Sequence, residues 1–92
     1  MESAAIEDDP IDQMSDLMED IGRLLSDKPD DVFVESEDVD DETVLHLVVP
    51  PDDIGRVLGR QGRTARSLRT ILAAASAKTD HRFKLDIEED GA

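Results

Sequence analysis

The chain has 92 residues, of which 24 are acidic and 10 basic, and its net charge is −14. This length allows one domain with one small core, and the absence of cysteine excludes disulfides and thiolate-ligated zinc. No apolar run reaches the roughly 20 residues of a membrane span, and the acidic start is unlike a signal peptide. We therefore expect a cytoplasmic protein with no membrane contact.

The charge is distributed unevenly along the chain. Residues 1–53 hold 19 acids and two bases, whereas residues 54–84 hold eight bases and a single acid. The last eight residues return to four acids. This asymmetry indicates a basic face that meets a polyanion, and the alternative is a solvated helix with ordinary surface arginines.

The first half of the chain predicts a tail, a helix and two strands. Residues 1–9 lack periodicity, and we expect them to form a disordered acidic tail. Asp9 is placed to cap a helix that begins at Pro10 and ends at the Lys28-Pro29 step. Strands are predicted over residues 32–35 and 43–49, joined by an acidic turn over 37–42. The helix carries an apolar stripe in steps of three and four residues: Ile11, Met14, Met18, Ile21 and Leu25.

The second half predicts two helices around a glycine pair, followed by a third strand. Asp52 or Asp53 is expected to cap a short helix over residues 54–58. The sequence Gly-Arg-Gln-Gly interrupts it, and a longer helix is expected from Arg63 to about Lys78. Alternating apolar and charged residues over 82–88 predict a half-buried strand. The longer helix is expected to bury one apolar face: Ala65, Leu68, Ile71, Leu72 and Ala75.

The glycines at positions 59 and 62 are the main functional signal. Two glycines separated by two polar residues at a helix–helix junction allow a sharp turn and close approach of a nucleic-acid backbone. The helix beginning at Gly62 presents free N–H groups and the positive end of its dipole. The alternative is a plain helix–turn–helix whose glycines cap helix ends. Between Ile54 and Leu72 lie no acid and five arginines: Arg56, Arg60, Arg63, Arg66 and Arg69.

Residues 54–63, Ile-Gly-Arg-Val-Leu-Gly-Arg-Gln-Gly-Arg, resemble the signature of a KH domain, whose G-x-x-G loop clamps nucleic-acid backbone. The continuation over 64–72 and the Lys-Pro-Asp-Asp-Val junction at 28–32 resemble a narrower group, the small single-domain bacterial KH proteins of the KhpA (YlqC) family. The resemblance covers residues 10–88. It implies an α+β domain of type II KH topology, with a three-stranded sheet packed by three helices and residues 89–92 as a disordered C-terminal tail.

The resemblance also implies a function. A member of this family is expected to be a non-enzymatic RNA chaperone or post-transcriptional regulator that binds single-stranded RNA. It is also expected to form a homodimer, or a heterodimer with a larger Jag-type KH protein, and to have a link to cell-shape and cell-wall control. The implied contacts come from the loop and its flanking arginines: Gly59, Arg60, Gln61 and Gly62, with Arg56 and Arg63 on either side. An apolar groove floor is implied beside them: Ile54, Val57 and Leu58.

Other chemistries are less well supported by the sequence. His46 and His81 lie on different elements without a nucleophile, so structural or surface roles are expected. The acidic turn lacks the glycine and glutamate spacing of a calcium site, and we expect no metal and no cofactor. Only two aromatic residues are present, which disfavours base-stacking platforms. The remaining alternative is a protein-interaction module that docks through the first amphipathic helix.

Overall fold

The computed structural model describes residues 9–91, so residues 1–8 of the predicted acidic tail (1–9), together with Ala92, lie outside the described residues. The described part contains one three-stranded sheet, in the order β1-β2-β3. Its helices are α1 (Pro10–Leu25), α2 (Ile54–Leu58) and α3 (Arg63–Thr79), and its strands are β1 (Phe33–Val39), β2 (Glu42–Val49) and β3 (Arg82–Glu89). The order helix–strand–strand–helix–helix–strand confirms the predicted α+β fold of type II KH topology.

Helix α1 starts as the sequence predicts and ends earlier. The Oδ1 of Asp9 accepts a hydrogen bond from the Ile11 N–H at 2.9 Å, which confirms the cap. The helix ends at Leu25 and not at the Lys28-Pro29 step, because Ser26 already has an extended backbone (φ −92°, ψ 147°). Met18 of the predicted stripe is fully buried, and Met14, Ile21 and Leu25 pack against the core beside it, whereas Ile11 is half-buried.

The sheet is mixed, because β1 pairs with β2 antiparallel whereas β2 pairs with β3 parallel. Strand β1 is longer than predicted. Its acidic end continues the ladder as far as the pair Val39 and Glu42, and the turn shrinks to Asp40 and Asp41. The predicted acidic turn over 37–42 is therefore wrong. Carboxylates are tolerated in the strand because they remain exposed to water, and one of them, Asp38, accepts a hydrogen bond from Thr43.

The core lies between one face of the sheet and the helices. Leu45, Leu47 and Val49 alternate along β2 toward this face, as the period of a strand requires. Helix α3 faces them with Ala65, Leu68 and Leu72, at helical spacing. Ile71, which was predicted to be buried, falls at the edge of this stripe and is 41% exposed, and Ala75 is only half-buried.

The connection between β2 and β3 determines where the glycine loop lies. Two parallel strands need a crossover, and here α2, the loop and α3 together provide it. Strand β3 continues through Glu89, and the Asp90 N–H donates to the Val49 carbonyl at 2.8 Å, so the sheet extends beyond the predicted boundary at residue 88. None of the described helices is long and apolar enough to cross a membrane.

Candidate nucleic-acid interface

The loop begins where α2 ends, at Gly59. The Gly59 N–H donates to the Gly55 carbonyl at 2.9 Å, and the residue has φ +78° and ψ 170°. Residues other than glycine rarely adopt this backbone conformation. In addition, a Cβ atom at Gly59 would lie only 2.3 Å from the Oγ1 of Thr64. Position 59 therefore requires glycine both for its backbone angles and for space.

The second half of the loop stays in the left-handed region. Gln61 has φ 57° and ψ 26°, and Gly62 has φ 74° and ψ 16°. The Gly62 N–H donates back to the Gly59 carbonyl at 3.0 Å, which closes a tight turn. Gly62 is also the N-cap of α3, and no side chain caps the helix there. The first turn of α3 thus offers N–H groups and a positive dipole end beside the loop.

Four exposed arginines lie in the loop and along the first two turns of α3, and we call them the arginine row: Arg60, Arg63, Arg66 and Arg69. Within residues 9–91, none of the four has a carboxylate within salt-bridge distance, although the chain carries 24 acids. Two of the four donate to uncharged oxygens. Arg63 donates to the Gln61 Oε1 at 3.2 Å, and Arg69 donates to the Leu85 carbonyl at 3.4 Å. The positive charge of the row is therefore available to an anionic ligand.

Arg56 differs from the row because it is already paired. Its guanidinium contacts the Asp27 carboxylate and lies 3.5 Å from the Asp53 carboxylate. The hydrogen bond from Arg56 to Asp27 raises the pKa of the guanidinium. The predicted phosphate-binding role of Arg56 thus competes with a structural role, in which it ties the start of α2 to the segment that follows α1.

Asp53 is the centre of that tie. Its side chain is almost fully buried, and it accepts hydrogen bonds from the Ser26 hydroxyl at 2.5 Å and from the Asp27 N–H at 3.4 Å. The bond from Ser26 lowers the pKa of Asp53. Asp53 occupies the N-cap position of α2 but makes no side-chain capping bond to that helix. The prediction that the Asp53 side chain caps α2 is therefore wrong, because its carboxylate bonds to the residues that follow α1 instead.

The predicted apolar floor divides into three different environments. Ile54 is half-buried and packs against the core, and Leu58 is 37% exposed beside the loop. Val57 is 0% exposed and presents no surface to a ligand. In this structure Val57 therefore supports the floor from the core, and its predicted contact with a ligand stays a prediction.

Two important residues were missed from the sequence. Thr64 restricts position 59, and Asp27 holds Arg56. A threonine two residues after the second glycine of the loop was a usable local signal. Asp27 gave none, because it lies 29 positions before Arg56 and only the fold brings the two together.

Residues 15–87 match the family model described as "KhpA/KhpB, KH domain". The chain belongs to this family. Among its relatives, the RNA-binding protein KhpA of Halalkalibacterium halodurans is 46% identical over 74 residues, covering 80% of this chain and 97% of the relative. The RNA-binding protein KhpA of Borreliella burgdorferi is 42% identical over 72 residues, covering 78% of this chain and 88% of the relative. The RNA-binding protein KhpA of Clostridium perfringens is 39% identical over 74 residues, covering 80% and 99%.

Membership of the KhpA/KhpB family confirms the resemblance seen in the sequence. The matched span contains the whole loop, α2, α3 and all three strands up to residue 87. The family assignment and the loop geometry rest on separate observations.

Proposed function

We propose that the chain binds single-stranded RNA at its glycine loop and acts as an RNA chaperone or post-transcriptional regulator. The observation that carries the proposal is the arginine row, which lies beside an uncapped helix start and has no carboxylate partner in the described part of the chain. The names of the related proteins, which include RNA binding, support it.

The loop suits a phosphate for steric and electrostatic reasons. Gly59 and Gly62 bear no Cβ, so a sugar–phosphate backbone approaches the main chain closely. The first N–H groups of α3 donate to phosphate oxygens, and the dipole of the helix adds to the attraction. Arg60 and Arg63 supply full positive charges on either side of Gln61. Binding of this kind positions the RNA backbone and carries little base specificity.

Single strands fit better than duplexes. Leu58 and the partly exposed edge of Ile54 provide an apolar surface next to the loop, on which an unpaired base can rest. Bases inside a duplex are stacked and do not reach such a surface. The proposed site therefore consists of a phosphate-binding loop with an apolar surface beside it: Ile54, Leu58, Gly59, Arg60, Gln61, Gly62, Arg63, Arg66 and Arg69.

The decisive experiment compares two double variants of equal charge change. Arg60→Asp with Gln61→Asp alters the exposed tip of the loop, and Lys78→Asp with Ala77→Asp alters the exposed far end of α3. Binding of a fluorescent single-stranded RNA is measured by polarisation, and folding is checked by circular dichroism. We expect the loop variant to lose at least about tenfold in affinity and the control variant to lose about twofold or less. Equal losses would contradict a localised site.

We also propose that the chain pairs with a second copy of itself or with a larger Jag-type KH protein, and contributes to cell-shape control through that partner. Membership of a family that includes both KhpA and KhpB domains supports this proposal. Light scattering after gel filtration, with and without a co-expressed KH partner, tests it. A monomeric mass under both conditions would contradict it.

The alternative adapter function has less support. Helix α1 turns its predicted docking stripe into the core, where Met14, Met18 and Ile21 pack. What remains exposed is Leu24, at 84%, together with part of Leu17. A Leu24→Ser variant with unchanged stability and unchanged partner binding would exclude docking through this surface.

A further inference from the structure

Three side chains of the types that bind metal ions, one histidine and two carboxylates, lie together on the sheet face opposite the helices. His46 alternates with the core residues Leu45 and Leu47, so it points to the outer face. The strand register places Asp86 directly beside His46, and Glu88 follows two residues later on the same face. One ligand atom from each of these three residues lies within 4.8 Å of the other two.

The distances within the cluster are short. The Nδ1 of His46 lies 2.6 Å from the Oε2 of Glu88 and 3.3 Å from the Oδ2 of Asp86. The His46 ring is mostly covered, whereas both carboxylates remain accessible from solvent. Two strands of one sheet hold the donors, so their spacing is set by the backbone ladder.

The other nitrogen of the ring is also engaged. The Nε2 of His46 lies 3.0 Å from the Oε1 of Glu37, on β1. Both nitrogens lie within hydrogen-bond distance of a carboxylate, so the charged ring donates from Nδ1 to Glu88 and from Nε2 to Glu37. Once the Nδ1 proton is lost, the Nδ1 lone pair faces Asp86 and Glu88 while Nε2 still donates to Glu37. A carboxylate behind the histidine is the usual arrangement at metal sites, because it fixes the ring and makes the ligand more basic.

We propose that His46, Asp86 and Glu88 bind a divalent transition-metal ion of the Zn²⁺ type, with Glu37 orienting the histidine. One imidazole nitrogen and two carboxylate oxygens are common zinc ligands, and a water would complete the coordination. The ion takes the place of the proton between Nδ1 and Glu88. The proposal gives His46 a role beyond the structural one expected from the sequence.

The site would connect all three strands, because its ligands come from β2 and β3 and its orienting carboxylate comes from β1. An ion that binds only the folded sheet stabilises it by mass action. The proposal is independent of RNA binding, since none of its residues belongs to the loop or the arginine row.

The test is a calorimetric titration of the intact, tag-free chain with Zn²⁺. We expect one ion per chain, with an affinity at least about tenfold weaker in His46→Gln and in Asp86→Asn. Glu37→Gln is expected to weaken binding by about tenfold as well, the usual effect of losing an orienting carboxylate. Circular dichroism checks that each variant is folded. If the His46→Gln variant is unstable, the Asp86→Asn variant tests the site instead, because Asp86 is exposed.

Glu35→Gln is the matched control. Glu35 is the β1 residue directly opposite His46, yet the two form no hydrogen bond in the described part of the chain. The affinity of the Glu35→Gln variant for Zn²⁺ is expected to stay within about twofold of that of the parent chain. Three results would overturn the proposal: unchanged affinity in His46→Gln, an equal loss in Glu35→Gln and Asp86→Asn, or Mg²⁺ binding as tightly as Zn²⁺. The third result would mean that carboxylates alone attract the ion.

Discussion

Gly59 and Thr64 are packed so closely that no side chain fits between them: a Cβ at position 59 would also lie 2.7 Å from the Thr64 Cβ and 2.8 Å from its backbone nitrogen. The Thr64 nitrogen belongs to the backbone, and the Thr64 Cβ is the stiff base of a β-branched side chain. Both atoms therefore have little freedom to move. The end of α2 and the start of α3 are therefore in close contact at this position, and the shape of the loop depends on it.

The two loop glycines are expected to respond differently to alanine. Gly62→Ala meets open space and adds only left-handed strain, so we expect a loss of about 1 kcal/mol in the free energy of unfolding. Gly59→Ala adds a backbone clash to a conformation that excludes side chains, so we expect a loss of about 2–4 kcal/mol. Urea denaturation measures both, and equal losses would contradict the packing at Thr64.

The arginine row is expected to determine the salt dependence of RNA binding. If three of its members contact phosphates, the slope of log K against log salt is about −2 for a single strand. Arg66→Ala should reduce the magnitude of the slope by about 0.7, because one phosphate contact is lost. Lys78→Ala, at the far end of the same helix, should leave the slope unchanged. A slope near zero in the parent chain would rule out phosphate contacts.

Arg56 and Arg60 are expected to separate stability from binding. Arg56→Ala removes the cation beside the buried Asp53, so it should lower the urea midpoint. Arg60→Ala removes an exposed side chain with no carboxylate partner within residues 9–91, so it should leave the midpoint unchanged and weaken RNA binding. The combination of an Arg56 variant with parent stability and an Arg60 variant with parent affinity would contradict these assignments.

Asp53 is expected to make the stability of the domain fall in acid. Its pKa is lowered in the folded state, chiefly by the hydrogen bond from Ser26, so its contribution is complete above the ordinary carboxyl range. The contribution is lost as the pH falls below about 4 and passes through the folded-state value. Unfolding free energies measured from about pH 6 to about pH 3 should therefore decline less steeply in Asp53→Asn. Asp52→Asn, at the exposed neighbouring position, is the control and should follow the parent curve.

Gly22 provides a test of packing without backbone strain. A Cβ there would lie 2.9 Å from the Leu47 Cδ1 and 3.0 Å from the Val32 Cγ1. Alanine favours a helix by about 1 kcal/mol over glycine, but overpacking a core costs about 1–3 kcal/mol. We expect Gly22→Ala to lower the urea midpoint, and a raised midpoint would show that α1 moves away from β2 easily.

The features that could be predicted from the sequence are those set by neighbouring residues. The Asp9 cap, the inward stripe of α1 and the alternation in β3 each follow from a local pattern of a few residues. The glycine loop was predictable for the same reason, since the spacing of its two glycines and its arginines is contained within one short segment.

The features that escaped prediction depend on residues far apart in the chain. The ladder that extends β1 to Val39 forms only because β2 lies beside it. The bond between Ser26 and Asp53 spans 27 positions, and the one between His46 and Glu88 spans 42. No local pattern records such contacts. The burial of Val57 was missed for a related reason, because an apolar residue beside a binding loop suits a groove floor and a core equally well.

The parallel pairing of β2 with β3 has a consequence for how the chain folds. Strands β1 and β2 meet across a two-residue turn, and hairpins of this kind form in about 1–10 μs. The pair Glu42 and Arg82 closes a far longer segment, and non-local parallel pairing is slow because its loop entropy is lost before its contacts form. The glycine loop lies inside that segment. We therefore expect it to reach its final geometry only when the last strand docks, well after the first hairpin has formed.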